Sequence, residues 1–389
     1  MIYLNLPLIN YFTVYGITVL AYLWYRFIFR FVWELKQKKK KYLLTDFPYS
    51  IVIPIYNEPE LLLRQCLRSC LGSWGTHEVI AVNDGSTDKN VKKVLNEFKK
   101  KHPELTVIHQ ENKGKRYAQK AGMEIAKFPY IVTVDSDAYL FPDAIPRLIQ
   151  PFTDYKVGAT TGRAHAINRD TNVLTKMIDA RYKNAFGFER AALSALGVVT
   201  CCSGVLSAYR TEIIKPLLNR YVHQQFLGEE CTYGDDRHLT NLVLMNGYKI
   251  EYVDEAIVYT DVPDKFTKFV KQQVRWKKSF IRESLVALSF SWKQSFWLTL
   301  EVLWNLILPY FAVVARIAVI ILALIYPWEI LSFIFAVITI AIIRNLVLFF
   351  EDRKAAIWAI PYAFIHEFVL YWLFWYALFR LKDRRWGTR

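Results

Sequence analysis

The chain has 389 residues, 53% of them hydrophobic, with 26 Phe, 24 Tyr and 12 Trp and a formal charge of +15. That length admits one large domain or two ordinary ones, and the apolar share is high for a purely soluble globule. Many basic residues lie beside apolar runs, which argues for the cytoplasmic edge of a membrane and against a nucleic-acid partner. The five cysteines, at 66, 70, 201, 202 and 231, show neither CxxC metal spacing nor a secreted disulfide framework, so reduced thiols are expected.

Leu6 to Tyr25 is nearly free of charge and reaches the about 20 residues that span a bilayer. It has no basic leader and no small-residue cleavage site, so a membrane helix over 1–33 is expected rather than a removable signal. Arg26, Arg30, Lys36 and Lys38 to Lys41 follow it and place that end in the cytoplasm. A cytosolic domain is expected over 34–260. Its first part alternates strands (Ser50–Pro54, Glu78–Val82, Leu105–His109, Tyr130–Val134) with helices (Pro59–Cys70, Asp88–Lys101, Lys115–Ala126). Such alternation predicts a mostly parallel sheet with flanking helices, an α/β fold. Ligands in these sheets bind beyond the carboxyl ends of strands, where Asp84 and Asp135/Asp137 fall.

Asp135 and Asp137 share one face of an extended segment. They suit a polar turn or a divalent ion, and Mg²⁺ takes one or two carboxylates plus substrate phosphates. Asn83-Asp84-Gly85-Ser86 is a plausible turn in its own right. Lys113-Gly114-Lys115-Arg116 is either a solvated loop or a contact for a diphosphate. Gly197 to Gly204 forms a small-residue wall, suited to a close substrate or to packed core. Cys201 and Cys202 have no evident base partner, so no thiol nucleophile is expected. Gly228 to Thr240 carries adjacent carboxylates, Asp235 and Asp236, ahead of a helix-like run that ends at Gly247.

Residues 261–292 read as a basic amphipathic interfacial segment. In it Gln272, Arg275 and Trp276 stand at i, i+3 and i+4 and share a face, which suits a phosphate and a sugar ring or, equally, a lipid interface. Three apolar blocks follow, Phe296–Tyr326, Ile330–Phe350 and Ala355–Phe379. Three simple crossings would leave the basic tail (Arg380, Lys382, Arg384, Arg385, Arg389) outside, against the positive-inside rule. One block within 293–380 is therefore expected to be re-entrant or interfacial. Arg316 and Arg344 lie within apolar blocks, where charge is costly and usually faces protein or water.

Taken in order, Asn83-Asp84-Gly85-Ser86, Asp135-Ser136-Asp137, Gly234-Asp235-Asp236 and Gln272-Gln273-Val274-Arg275-Trp276 resemble the membrane-embedded processive glycosyltransferases of the cellulose, chitin and hyaluronan synthase type. The resemblance runs from about Tyr49 to Arg389. Arg181 to Gly187, Thr260 to Lys265 and the closing Trp386-Gly387-Thr388-Arg389 are most similar to the bacterial hyaluronan synthases. In two features the chain departs from that pattern: Gly204 precedes Val205 rather than proline, and one apolar block rather than two precedes the sheet domain.

The resemblance implies a GT-A-like fold, a plasma-membrane location and inverting transfer from UDP-GlcNAc and UDP-GlcUA to a nascent polysaccharide. It implies Mg²⁺ or Mn²⁺ at Asp135 and Asp137, uracil at Asp84 and a general base at Asp236, with Asp235 beside it as the lesser candidate or a helix cap. Arg275, with Lys115 or Arg116, would offset charge on departing UDP. Gln272 and Trp276 would meet the acceptor, and Cys231, Gly204 and the 381–389 tail, with Trp386, Thr388 and Arg389, would line the substrate site. The alternatives are a chitin-oligosaccharide synthase using UDP-GlcNAc only, a transferase acting on a lipid carrier, and a receptor that binds nucleotide without turnover.

Overall fold

The computed structural model describes residues 2–39 and 46–384. Lys40, Lys41, Arg385, Trp386, Gly387, Thr388 and Arg389 lie outside the described residues. The chain opens with helix α1 (Ile2–Lys39), which runs on past the apolar block expected from the sequence. Next come β1 (Tyr49–Ile55), α2 (Glu60–Leu71), β2 (His77–Asp84), α3 (Lys89–Lys101), β3 (Leu105–Gln110), α4 (Lys115–Ile125) and β4 (Tyr130–Val134). Every residue of β1 and β4 is buried. Strands covered on both faces carry continuous apolar runs, which is why these were legible without alternation. In α3, Val91, Val94, Leu95 and Phe98 bury one stripe, and the Asp88 side chain accepts the Asn90 amide at 2.9 Å to start the helix.

Beyond β4 the chain builds the second half of the sheet. It comprises β5 (Tyr139–Leu140), α5 (Ala144–Ile149), β6 (Val157–Ala166), α6 (Val173–Asn184), a π-turn (Ala185–Arg190), α7 (Ala191–Ala195) and β7 (Leu206–Arg210). The short helices α8 (Thr211–Ile214) and α9 (Leu218–Val222) come next, with the small hairpin β8 (Gln225–Phe226) and β9 (Glu229–Glu230), then α10 (Asp235–Met245) and β10 (Lys249–Thr260). The strand order is β3-β2-β1-β4-β7-β6-β10-β5. β1 pairs in parallel with β2 and β4, whereas β7 is antiparallel to both β4 and β6. A mostly parallel sheet with an antiparallel strand inserted at β7 is a GT-A arrangement. The carboxyl ends of β1, β2 and β4 lie side by side at one edge, so the segments after them converge.

Helix α11 (Phe266–Gln294) continues well past the expected amphipathic stretch and turns at Ser295 into α12 (Phe296–Ile325). α13 (Glu329–Arg344), α14 (Leu346–Glu351), α15 (Arg353–Ile365), a second π-turn (His366–Leu370) and α16 (Tyr371–Leu378) complete the described chain. Among the described residues two helical runs, Phe296–Ile325 and Arg353–Leu378, are long and apolar enough to cross a membrane. Both ends of the second are tied to the sheet domain. Lys183 Nζ pairs with Asp352 at 2.7 Å, and Tyr233 Oη donates to the Asp383 carbonyl at 2.9 Å. Arg344, at the end of α13, pairs with Glu189, and Arg316 within α12 pairs with Glu367. Both arginines of the apolar blocks thus meet carboxylates, as charge in an apolar surround requires.

α1 is bound to α12 by Arg26, whose Nη2 reaches Glu301 Oε1 at 2.6 Å and Oε2 at 2.7 Å. Both side chains are almost wholly buried, at 3% and 2% exposure. Removing one member of such a pair leaves a stranded charge and costs about 3–5 kcal/mol, whereas replacing both with apolar groups is often tolerated. Arg26→Leu is therefore expected to lower the thermal unfolding midpoint of the detergent-solubilised protein clearly. The double change Arg26→Leu with Glu301→Leu should recover most of that loss.

Candidate active site

Four segments meet at the carboxyl edge of the sheet. β1 is followed by Tyr56-Asn57-Glu58, β2 ends in Asp84, β4 is followed by Asp135-Ser136-Asp137, and α10 begins with Asp235 and Asp236. Their junction is Lys115, the first residue of α4. Its buried ammonium stands 2.7 Å from Asp135 Oδ1 and 2.9 Å from Asp235 Oδ2. Burial opposes charge on Lys115, but the two carboxylates outweigh it and hold the amine protonated. The same bridge, helped by Arg116, overcomes the burial of Asp235 and holds its carboxyl down at about 2. Asp236 behaves oppositely: burial, then the charge of Asp235, raises its carboxyl. Asp236 Oδ1 accepts the Arg237 amide at 2.8 Å, and the Cys201 thiol lies 3.6 Å from Oδ2. Neighbouring carboxylates are thus driven apart, one firmly ionised and one more basic.

Two glycines make room for this. A Cβ on Gly204 would come 3.0 Å from Lys115 Nζ and 3.2 Å from Asp135 Oδ2. Gly234 adopts φ +79°, and a Cβ there would strike Ser279 Oγ at 2.2 Å. A side chain at 234 would push the start of α10 away from α11. Further along, α10 and α11 are joined through Glu283. It accepts from Gln224 at 2.8 Å, Asn241 at 3.1 Å and Arg282 at 3.0 Å, and it faces His238 Nδ1 at 3.3 Å. Burial is outweighed by these partners, His238 foremost, which hold the Glu283 carboxyl at about 2.

The predicted residues fall into groups. Asp84 accepts Gln110 Nε2 at 2.7 Å and the amides of Lys113 and Gly114 at 3.0 and 2.9 Å, so it shapes the loop that delivers Lys115. Arg116, expected with Lys115 at a diphosphate, turns inward instead. It is 3% exposed and donates to the Tyr221 and Tyr233 carbonyls and to Gln224. The reason is helical geometry: adjacent residues of α4 lie about 100° apart, so one faces the cluster and the next the interior. Gln272 Oε1 is buried without a hydrogen-bond partner. Trp276, 39% exposed, lies with its ring 6.5 Å from that of Tyr182. Cys231 is buried beside the tail, where Thr232 Oγ1 donates to the Arg384 carbonyl at 2.5 Å and Lys278 Nζ to that of Asp383 at 3.3 Å. Trp386, Thr388 and Arg389 continue that tail outside the described residues.

Sequence reasoning passed over three site residues. Glu58 accepts the Ser136 hydroxyl at 2.6 Å, and its loop is pinned by Asn57, which receives the Thr87 and Asp88 amides at 2.8 and 3.1 Å. Tyr182 faces Trp276, and Arg190 donates to the Cys201 carbonyl at 3.2 Å. Position beyond a buried strand was the available signal for Glu58. The two thiols near Asp236 are pushed up by burial, Cys201 to about 11 and Cys202 to about 12, which is wrong for nucleophiles.

A divalent ion fits the donor set. No group of three His, Cys, Asp or Glu among the described residues is arranged to hold a metal. Asp135 and Asp137, however, supply the pair of carboxylates that Mg²⁺ or Mn²⁺ commonly takes alongside substrate phosphates. Thr260 donates to Asp137 Oδ2 at 3.3 Å. Burial, then the charges of Asp135 and Glu58, push the Asp137 carboxyl up to about 7 against the pull of Lys115. Negative charge is in excess there, and a cation would relieve it.

Residues 50–218 match the family Glycosyl transferase family 2. A mannosyltransferase from Pyrobaculum calidifontis, solved in complex with GDP-Man and Mn2+, superposes with a TM-score of 0.62 at 19% identity, over 93% of this chain and 98% of its own. The fold is that of a GT-A glycosyltransferase, and the chain is an enzyme of that class. Hyaluronan synthase of Streptococcus pyogenes is 36% identical over 405 residues, spanning 100% of this chain and 94% of its own. An N-acetylglucosaminyltransferase of Neorhizobium galegae is 33% identical over 348 residues, 87% of this chain and 79% of its own. The chain belongs to the hyaluronan synthase family of glycosyltransferases.

The raised carboxyl of Asp137 gives a pH prediction. Its native value lies above the ordinary 3.8, so between there and about 7 the native state holds the extra proton. Stability of the cation-free protein from this group is present at low pH and is lost as pH rises through about 7. Cation binding needs the ionised form and so changes in the opposite sense. Calorimetric titration of Mn²⁺ with UDP should show affinity about tenfold lower at about pH 6 than on the plateau above about pH 8.

Proposed function

We propose that this protein is a processive, inverting hyaluronan synthase of the plasma membrane, which transfers GlcNAc and GlcUA alternately from UDP-sugars and passes the polymer through its own helices. The observation that supports this most is the Lys115 bridge. It joins Asp135, Lys115 and Asp235 in one salt-linked row, with the more basic Asp236 next along the chain, in a protein whose helices carry membrane-length apolar runs. In this reading Asp135 and Asp137 hold Mg²⁺ or Mn²⁺, which when bound neutralises and orients the donor diphosphate. Asp84 shapes the nucleotide pocket through the loop before α4 and meets the uracil. Asp236 takes the proton of the acceptor hydroxyl, whose oxygen bonds to the anomeric carbon as the bond from that carbon to the UDP oxygen breaks. Asp235 keeps Lys115 in place, and Lys115 and Arg275 stabilise the charge on departing UDP. The orphan oxygen of Gln272 receives a sugar hydroxyl and Trp276 stacks on the acceptor ring. Cys231 and Gly204 line the substrate site, and Trp386, Thr388 and Arg389 lie over its nucleotide side.

The same reading orders the helices. α1, α12 and α13 cross the bilayer, and 353–378 enters it without crossing, since both ends of that run are held by the cytosolic domain. The catalytic domain and the basic tail then stay on one side, as the positive charges prefer.

Purified protein in lipid nanodiscs, given UDP-GlcNAc and UDP-GlcUA with Mg²⁺ or Mn²⁺, should make a high-molecular-weight product only when both sugars are present, degraded by hyaluronidase. Product from UDP-GlcNAc alone would replace this reading by that of a chitin-oligosaccharide synthase, and sugar recovered on lipid by that of a lipid-carrier transferase. Asp236→Asn should lose at least about 10³-fold in polymer formation while still binding UDP. For the membrane arrangement, Trp328→Cys should react with an impermeant maleimide on intact cells, and Lys382→Cys only after permeabilisation. External labelling of Lys382→Cys would overturn it.

A further inference from the structure

One surface next to Asp236 takes no part in the transfer chemistry above. It starts at the π-turn Ala185–Arg190, which continues α6 without a break. A π-turn adds a residue to a helical turn and shifts the register of the helix beyond it, and such turns are frequent at functional sites. Here Glu189 is taken up by Arg181, at 3.1 Å, and by Arg344. Arg190 reaches instead toward the acidic centre. Its Nε donates to the Cys201 carbonyl at 3.2 Å, and its guanidinium carbon lies 3.9 Å from the centre of the Phe186 ring. The Cys201 thiol stands 3.6 Å from Asp236 Oδ2. Arg237, the residue after Asp236, lies over Phe280 at 5.0 Å.

Two half-buried guanidinium groups therefore flank one cysteine–carboxylate contact. Their neighbours Arg181, Arg282 and Arg344 are each paired with a glutamate. Among the described residues Arg190 and Arg237 form no such ion pair. Leading up to them is an aromatic surface: the Trp276 ring lies 6.5 Å from Tyr182, and Tyr182 lies 6.3 Å from Phe186. Aromatic faces followed by planar cations suit a sugar chain that bears carboxylates, because the guanidinium fork matches a carboxylate in two hydrogen bonds.

We propose that Arg190 and Arg237 form a carboxylate-binding subsite on the acceptor side of Asp236, which reads an acidic sugar at or next to the growing end. The acceptor side is favoured because Arg237 directly follows Asp236 and Arg190 borders it through Cys201, while a donor diphosphate would lie at Asp135 and Asp137, across the Lys115 bridge. A carboxylate seated there also neutralises part of the positive field beside Asp236, which leaves that group the stronger base. The proposal rests on the hyaluronan reading, since a neutral polymer offers the pair no ligand.

The test measures binding to the full-length protein in nanodiscs, using short hyaluronan oligosaccharides that end in GlcUA and neutral chito-oligosaccharides of equal length. Arg190→Gln and Arg237→Gln are each expected to weaken the acidic ligand by about tenfold more than the neutral one. Arg190→Lys keeps the charge without the fork, should recover part of the loss, and answers the question if Arg190→Gln does not fold. The preference of the wild-type protein for the acidic ligand should shrink with added salt. Equal weakening of acidic and neutral ligands would overturn the proposal, and so would weakened UDP binding with oligosaccharide binding intact, which assigns the pair to the donor. The product assay on the wild-type protein separates the two readings. Polymer from UDP-GlcNAc alone removes the hyaluronan reading, whereas hyaluronan made by a protein whose variants show no acidic preference removes only the subsite.

Discussion

A single buried ammonium holds the catalytic domain in register with itself. Lys115 sits between Asp135, after the fourth strand, and Asp235, at the head of a helix about a hundred residues later. Without that cation the buried Asp235 would face Asp135 with no counter-charge between them, an arrangement whose repulsion a protein avoids by protonation or by moving apart. With it, Asp235 stays ionised and its neighbour Asp236 is left as the group with proton affinity to spare. The division of labour between adjacent aspartates thus comes from which of them reaches the lysine.

The bridge needs its backbone to come close on every side. Gly204 leaves no side chain between its chain and the Lys115–Asp135 pair, and Gly234 lets the head of α10 approach α11 within contact distance of Ser279. Glu283 then locks α10 to α11 with four polar partners, all buried. A buried carboxylate satisfied so fully has little freedom, so the segment bearing Gln272, Arg275 and Trp276 is fixed relative to the acidic pair. Arg344–Glu189 attaches the end of α13 to the π-turn of the sheet domain, and Arg26–Glu301 ties α1 to α12.

The surface on the Cys201 side of Asp236 is built differently. It stands on a helix that changes pitch at Ala185–Arg190, and this irregular turn puts Glu189 with Arg181 and Arg344 and Arg190 beside the cysteine next to Asp236. One residue of register separates a structural anchor from a group facing the site. A regular helix would turn both by the same increment and satisfy only one of these contacts.

Much of the first half of the sheet is readable in the sequence, because strands buried on both faces appear as unbroken apolar runs and the helices between them carry clear stripes and caps. Asp84, Asp135, Asp137, Asp235 and Asp236 stood out because they fall at strand and helix ends, where ligands of such sheets bind, and because their motifs stand in the order of a known family, although each alone also suits a turn or a cap. The antiparallel entry of β7 between β4 and β6 was not readable: Leu206–Arg210 is short, and its partners lie some forty to eighty residues away. Arg116 shows the same limit on a smaller scale. Beside Lys115 in a basic run it looks equivalent, yet helical rotation sends one to the aspartates and the other to the Tyr221 and Tyr233 carbonyls. The amino-acid order alone determined which chemical groups are present and on which kind of element each is carried, since those depend on local periodicity and capping. Which of them meet was decided only in three dimensions, because contacts such as Lys115 with Asp235, Glu58 with Ser136 and Arg190 with Cys201 depend on rotation about helix axes and on strand order, which no local pattern encodes.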